Sequence, residues 1–268
     1  MKRRVLVILV AFAVTLSTLG CVCGGISIGP GGVRGSGRVI EEERPVSDVT
    51  GVELATLGKL TIEMGEREEL RVEAEENLLQ YIETEVRGGT LRIGTQPGVT
   101  LRNRRPVNYY LTVKELDEIV ISSSGDIEAP DLEAERFSVT ISSSGNLEMG
   151  DLDADTVEVR ITSSGDVEMG DLSAERIAID ISSSGNLDVA GGEVVEQDMV
   201  ISSSGNYRAR GLESAEAEVR LTSSGSATIR VRDYLKASLS SSGDVRYIGT
   251  PTVDARTTSS GDVERIGE

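Results

Sequence analysis

The clearest pattern in the chain is an alternation of apolar and polar residues that recurs about every twenty residues. From Val157 to Ile161, three apolar residues alternate with Glu158 and Arg160. A Ser/Thr-Ser-Ser-Gly stretch follows each such run, and a second, shorter alternating run comes after it. Alternation of this kind predicts strands with one buried face. The fixed period predicts stacked repeats in which each copy forms one coil.

The glycine of the repeated stretch marks each coil. It stands at twenty-residue intervals five times and then at eighteen-residue intervals twice, at Gly125, Gly145, Gly165, Gly185, Gly205, Gly225, Gly243 and Gly261. We expect these glycines to form a structural turn by adopting positive φ, with the Asp or Asn that usually follows capping the turn. The phase of the alternation places the middle serine inward, as a buried hydroxyl stack, and the serines on either side of it outward.

The repeat predicts an all-β, single-stranded parallel β-helix, a solenoid of 18 to 20 residues per coil. Each coil has a strand of about seven residues, one of about three, and a weaker third side. The leading inward column is aliphatic until the last copy: Ile121, Ile141, Ile161, Ile181, Ile201, Leu221, Leu239 and Thr257. Such columns form a core that needs no cofactor, and we predict none. Because parallel crossovers are overwhelmingly right-handed, we predict a right-handed solenoid.

The N-terminus has the layout of an export signal. Three basic residues precede an apolar run and a small-residue segment, so residues 1–20 are predicted to be a signal peptide. The segment ending at Cys21 resembles a bacterial lipobox, which implies lipidation of that cysteine, although Thr18 stands where the pattern has an aliphatic residue. An uncleaved membrane anchor and a plain secreted protein are the alternatives. Residues 21–37 form a glycine-rich spacer, and we assign no role to Cys23.

The remaining chain divides into an irregular and a regular part. Residues 38–120 are predicted to form irregular N-terminal coils and a cap, and residues 121–268 the regular repeats. Segments 58–65 and 89–94 echo the short strand of the repeat and are predicted to be degenerate coils. Between them, residues 73–86 are expected to form a short helix or a rim loop.

Net charge narrows the choice of partners. The chain carries 27 basic and 45 acidic residues, a formal charge of −18, and loss of Lys2, Arg3 and Arg4 with the signal leaves 24 − 45 = −21. An acidic protein of this kind is not expected to bind nucleic acid. A peripheral hold on anionic lipid is disfavoured too, so membrane attachment is predicted to come through the N-terminal lipid anchor.

Two polar columns are candidates for metal ligands. The residue after each turn glycine is Asp, Asn or Ser, and this mixture favours turn chemistry that limits charge repulsion over a metal ladder. A more acidic column lies two residues further on, at Glu128, Glu148, Glu168 and Asp188. Four stacked carboxylates are weak candidates for a Ca²⁺ site, and a solvated acidic face is the favoured interpretation.

The composition offers few residues of the types that common catalytic sites use. The chain has no His, so no Ser/His/Asp triad exists, and the repeated serines are interpreted as structural. Enzymes built on a parallel β-helix typically act on polysaccharides, whose sugars stack on aromatic side chains. This chain has no Trp and only 3% aromatic residues. Tyr207 and Tyr247 fall in inward columns, and of Tyr109 and Tyr110 only one can face outward. We therefore predict no catalytic residue.

The order of motifs resembles a bacterial family. The Ser-Ser-Gly-Asp/Asn coils are preceded by five ordered motifs, at residues 38–46, 51–54, 70–79, 81–85 and 89–94. This succession, over residues 38 to 264, is similar to the "putative auto-transporter adhesin, head GIN domain" family. The resemblance implies a right-handed single-stranded β-helix on an exported, often lipid-anchored protein, and it brings no catalytic residues.

Two function classes follow from these observations. The favoured one is a non-enzymatic, adhesin-like or scaffolding lipoprotein of the cell envelope or surface that presents an acidic repetitive face. Its partners would be a membrane, an envelope polysaccharide or a protein. The alternative is a carbohydrate-active enzyme, a lyase or hydrolase, on a similar frame. The last coil has no evident capping helix, which further predicts end-to-end self-association.

Overall fold

The computed structural model describes residues 32–268, which form a β-solenoid. The first nine strands are β1 (Val33–Arg34), β2 (Val39–Arg44), β3 (Gly51–Ala55), β4 (Lys59–Met64), β5 (Glu69–Glu75), β6 (Ile82–Arg87), β7 (Thr90–Thr95), β8 (Leu101–Arg102) and β9 (Asn108–Val113). The next six are β10 (Glu118–Ile121), β11 (Asp126–Ala129), β12 (Leu132–Ile141), β13 (Leu147–Met149), β14 (Leu152–Ile161) and β15 (Val167–Ile181). The last six are β16 (Asn186–Ile201), β17 (Asn206–Leu221), β18 (Ser226–Leu239), β19 (Val245–Ile248), β20 (Thr252–Thr257) and β21 (Val263–Gly267).

Each regular coil has three faces. In one coil these are residues 137–141, residues 147–149 and residues 152–154, joined at corners after Ile141 and Met149. Buried and more exposed residues alternate along the first two faces, which is the geometry of a strand with one side on a core. The repeat period places the next coil in register, so that β12 pairs with β14 in parallel. The predicted fold class is therefore confirmed, while the right-handed sense stays a prediction.

The core is a set of aliphatic columns that run along the solenoid axis. Ile141 pairs with Ile121 on one side and Ile161 on the other, and all three are fully buried. Burial of a large aliphatic side chain contributes about 1.5 to 3 kcal/mol of stabilising free energy, which offsets the entropy lost when each coil becomes ordered. No coil could bury its apolar face alone, so adjacent coils stabilise one another.

The N-terminal coils stack in an order that differs from their order in the sequence. The coil containing β3 and β4 lies between the β10–β11 coil and the later β7–β9 coil, because β3 pairs in parallel with both β10 and β7. Strand β6 then lies antiparallel to β7, and β5 antiparallel to β9. Strand β2 pairs antiparallel with β5 and continues this cap. The irregular first section thus closes one end of the stack, as terminal repeats must.

A small flap covers the outer side of β5. Strands β1 and β8 form a separate two-stranded parallel sheet, with Arg34 beside Arg102. Residues 33–37 therefore belong to the folded body. The predicted glycine-rich spacer, residues 21–37, is corrected for these residues. Residues 73–86 contain a short 3₁₀ helix, Leu79–Tyr81, as one of the two expectations had it. Cys21, Cys23 and the predicted signal peptide lie outside the described residues.

The other end of the stack is less apolar. Val253, Ala255 and Thr257 of β20 continue inward columns, yet all three are exposed. Within residues 32–268, no helix is long and apolar enough to cross a membrane.

Candidate functional surfaces

The turn glycines are required by a close approach between coils. A Cβ on Gly165 would overlap the carbonyl oxygen of Gly145 and come within 2.8 Å of the Ile141 Cγ2 atom. Each of the other seven marker glycines packs in the same way on the backbone of the coil before it. None of the eight adopts positive φ, so the conformational reason expected from the sequence does not hold. The missing side chain, not an unusual backbone angle, explains the glycine at this corner.

The serines at the same corner face mostly outward. In the coil around Gly145, Ser142 and Ser144 are exposed and Ser143 is half-buried, and the same order recurs in the neighbouring coils. The outward direction of the flanking serines agrees with the sequence phase. The middle hydroxyls do not form the expected buried stack, because the glycine backbone occupies the inside of the corner. These serines form a polar corner with no base beside it.

The Asp/Asn column forms a ladder of hydrogen bonds between coils. Asp126 Oδ1 accepts from the Asn146 backbone N–H at 2.9 Å and from its Nδ2 at 3.1 Å. Asn146 Oδ1 in turn accepts from the Asp166 N–H at 3.0 Å, and Asn186 donates from N–H and Nδ2 to Asp166 Oδ1, both at 2.8 Å. An amide between two carboxylates supplies donors where a second carboxylate would repel. The column therefore serves the turns.

The four weak metal candidates are stacked in register, as the repeat requires. Glu128 pairs with Glu148, Glu148 with Glu168, and Glu168 with Asp188. A cation lies at each end of this column. Lys59 Nζ is 2.6 Å from Glu128 Oε2, and Arg208 contacts both Asp188 oxygens at 3.0 and 3.2 Å.

These end pairs give the column the character of a surface charge ladder. The hydrogen bond that Lys59 makes to Glu128 raises the pKa of the Lys59 amine, so that the lysine stays protonated. The part of the chain that the structure describes contains no group of three or more His, Cys, Asp or Glu side chains placed to hold a metal ion.

Comparison with known proteins adds to this geometry. The family model described as "Putative auto-transporter adhesin, head GIN domain" matches residues 48–170 and 150–251, well over half of the chain. The chain belongs to this family. No curated protein matches it. The recognition made from the ordered motifs is thus confirmed.

Three solved bacterial structures are similar to this head GIN protein. A putative lipid binding protein from Parabacteroides distasonis has 25% identity and a TM-score of 0.82, covering 87% of this chain and 99% of its own. A putative adhesin from Parabacteroides merdae has 21% identity and a TM-score of 0.82, with 87% and 98% covered. A putative adhesin from Bacteroides fragilis has 16% identity and a TM-score of 0.65, with 88% and 100% covered. These likenesses show a shared β-solenoid fold, and the family match places the protein in an adhesin-like group, which indicates an exported or surface protein.

The tyrosines are used for packing. Tyr207 is fully buried, its hydroxyl donates to Gln197 Oε1 at 2.8 Å, and burial raises the pKa of its phenol. Tyr109 is also buried, whereas Tyr110 is half-exposed with the Arg71 guanidinium 5.0 Å from its ring centre. Tyr247 packs partly buried against the core. The inward and outward assignments from the sequence phase therefore hold, and no row of aromatic platforms forms on the regular coils.

An open cleft lies on the third face of the head GIN solenoid. It encloses about 630 Å³ and is lined in part by Asp131, Asp151 and Asp171. Asp131 Oδ1 accepts the Asp151 N–H at 2.9 Å, and Asp151 Oδ1 accepts the Asp171 N–H at 2.8 Å. These carboxylates cap the second corner in the same way as the Asp/Asn ladder caps the first. No base or nucleophile pair follows from their positions.

Sequence reasoning missed one buried carboxylate. Glu75 is fully buried, and its oxygens accept backbone N–H groups of Gly37 at 2.5 Å and Arg104 at 2.6 Å, with Arg105 at 3.4 Å. Burial acts to raise the pKa of Glu75, but these backbone donors outweigh it and the pKa lies below its ordinary value. Glu75 therefore fastens the β1–β8 flap to β5.

Proposed function

We propose that this head GIN protein is a non-enzymatic, exported lipoprotein of the cell envelope. Its solenoid would present an acidic, repetitive surface to a partner, as an adhesin or a scaffold. The observation that carries the proposal is the regular stack itself, in which the corner glycines and the Asp/Asn ladder serve the turns while exposed carboxylates such as Glu148 and Glu168 recur in register. Such a stack forms a long rigid surface that repeats one small pattern many times.

The membrane part of the proposal rests on the N-terminal sequence. A basic, then apolar, then small-residue order ends at Cys21, in a segment that resembles a lipobox. Acylation there would tether the protein to a membrane surface. Adhesin-like relatives are in keeping with an exported protein.

The acidic surface supports a binding role in which many weak contacts add up. The chain has a formal charge of −18, and carboxylates recur at fixed positions from coil to coil. Glu148 and Glu168, for example, are exposed and in register. Repetition lets a polymer or a clustered partner engage several coils at once, which raises avidity without a deep pocket.

A carbohydrate-active enzyme on the same frame is the competing class, and one experiment separates the two. The purified full chain is applied to a glycan array that includes envelope polysaccharides, and every retained glycan is then assayed for new reducing ends. We expect retention without cleavage. Turnover of a bound glycan would establish the enzyme class, and absence of retention on all glycans would direct the search for an adhesin partner to proteins.

Matched variants then locate the binding face. Glu148→Gln with Glu168→Gln neutralises two carboxylates on the second face, and Glu133→Gln with Asp153→Asn neutralises two on the third. Each pair removes the same charge from exposed positions. Loss of retention in one pair alone identifies the face that carries it, while equal small losses in both indicate only a general effect of net charge.

End-to-end association of two solenoids through their last coils stays a prediction. Sedimentation across a wide concentration range tests it, and a monomer throughout would contradict it.

A further inference from the structure

The inference begins from an uneven distribution of charge. The chain as a whole has 45 acidic and 27 basic residues, yet segments 32–40 and 96–113 contain no Asp or Glu. Five arginines stand in these two segments, and we call them the arginine patch: Arg34, Arg38, Arg102, Arg104 and Arg105. All five are exposed. Positive charge is therefore concentrated on the β1–β8 flap of an otherwise acidic protein.

The patch is mostly unneutralised by the protein itself. Arg38 lies 3.1 Å from Glu76, but within residues 32–268 the other four arginines have no carboxylate partner at ion-pair distance. Arg34 and Arg102 are direct neighbours in the parallel β1–β8 pair. Like charges beside each other on paired strands destabilise a sheet. An anionic partner would relieve this repulsion.

The flap holds the arginines in place through its backbone. Glu75 accepts the N–H groups of Gly37, Arg104 and Arg105, as described above. Asn77 adds two bonds, since its Oδ1 accepts the Ser36 N–H at 2.7 Å and its Nδ2 donates to the Arg34 carbonyl at 2.9 Å. The Glu75 carboxylate is fully buried, so it organises the flap from inside while the arginine side chains stay exposed. Little conformational order remains to be created when an anion binds.

The patch also lies at the end of the solenoid that the predicted anchor precedes. Gly32 follows Cys21 by 32 − 21 = 11 residues, which span at most about 40 Å when fully extended. A protein tethered through Cys21 would thus be kept with this end close to the lipid headgroups. Net negative charge on the coils would at the same time favour their pointing away from an anionic surface.

The net charge of the whole chain disfavours a peripheral hold on anionic lipid, but the charge of this flap is locally positive, and we propose that the arginine patch binds anionic phospholipid headgroups of the membrane that carries the N-terminal anchor. The solenoid then stands on the bilayer by its N-terminal end and directs its regular coils outward. The inference rests on the proposed function for its placement beside a membrane. Arginines near an anionic surface each favour contact by about fivefold, so the loss of three lowers the preference for contact by about 100-fold.

The test uses the full chain reconstituted in two kinds of vesicle, phosphatidylcholine alone or phosphatidylcholine with phosphatidylglycerol. Amide hydrogen exchange is measured for segments 32–38 and 99–107. We expect exchange there to be at least about fivefold slower in the anionic vesicles, and the difference to shrink at high salt because exposed charges are screened. Exchange of the regular coils should be the same in both.

Two triple variants make the test specific. Arg102→Gln/Arg104→Gln/Arg105→Gln is expected to abolish the difference between the vesicles. The matched control, Arg160→Gln/Arg220→Gln/Arg256→Gln, removes three exposed arginines from the first face and is expected to keep it. Equal exchange of wild type in both vesicles, or equal loss in the two variants, would overturn the proposal. An unmodified Cys21 in the native protein would refute the lipid anchor and not the arginine patch. The two outcomes are distinguishable because the vesicle experiment compares two lipid compositions for the same chain.

Discussion

Replacing Glu75 by Gln is predicted to loosen the β1–β8 flap without unfolding the solenoid. One carboxylate oxygen serves the Gly37 N–H and the other serves Arg104, so an amide can satisfy only one side. The other N–H then faces an NH₂ group. Hydrogen bonds to a charged acceptor contribute about 1.5 to 3 kcal/mol, and a buried donor without a partner costs about 1 to 3 kcal/mol. A local loss of about 3 kcal/mol corresponds to flap opening that is about 100-fold more frequent.

Native-state hydrogen exchange at neutral pH measures this opening directly. The amides of Gly37 and Arg104 should exchange about 100-fold faster in Glu75→Gln, while those of the regular coils keep their wild-type rates. Glu76→Gln is the matched control, because it removes the neighbouring carboxylate, which is exposed and pairs only with Arg38. Wild-type exchange at Gly37 in Glu75→Gln, or the same acceleration in the control, would refute this account of the flap.

The same carboxylate predicts how flap stability depends on pH. The pKa of Glu75 in the folded protein lies below its ordinary value of 4.5. Its contribution is therefore fully present above about pH 4.5 and is lost as the pH falls through the lowered pKa. Exchange of the Gly37 amide, corrected for its intrinsic rate, should show this loss in the wild type and not in Glu75→Gln.

Three further substitutions test the solenoid. Gly165→Ala should destabilise the fold by about 3 kcal/mol in urea unfolding, since its Cβ would overlap the backbone of the previous coil, whereas exposed Ser164→Ala should change it by less than about 0.5 kcal/mol. Tyr207→Phe alone should cost about 1 to 3 kcal/mol, because buried Gln197 loses its hydrogen-bond partner, and adding Gln197→Leu should restore most of that loss. A double-mutant cycle showing no coupling would contradict this. Glu148→Lys should stabilise by up to about 0.5 kcal/mol at low salt, and a gain that persists at high salt would exclude charge as its cause.

The regular coils could be predicted in detail because the repeat period assigns each residue to a column of the stack. A twenty-residue period places Ile121, Ile141 and Ile161 in one column, and alternation then decides which neighbours face inward. The reason for the turn glycines was not accessible in the same way. Positive φ and close approach both favour glycine, and only the position of the preceding coil distinguishes them.

The N-terminal third shows where one-dimensional patterns fail. Segments 58–65 and 89–94 were recognisable as coils, but the sequence contains nothing that says on which side of the first coil the second one stacks. The alternation of β5 points Leu70 and Val72 inward and Glu75 outward, so Glu75 has the pattern of a surface acid. It is buried because the β1–β8 flap, whose two strands are distant from Glu75 in the sequence on either side, covers that outer side. The arginine patch was detectable as two acid-free segments, although their adjacency was not.

Mass spectrometry of the native N-terminus tests the central functional claim most directly. A lipid-anchored envelope protein requires removal of residues 1–20 and acylation of the new N-terminal Cys21. We predict a mature chain that begins at Cys21 and carries the added mass of acyl chains. A chain that retains residues 1–20, or one that begins elsewhere without lipid, would contradict the account.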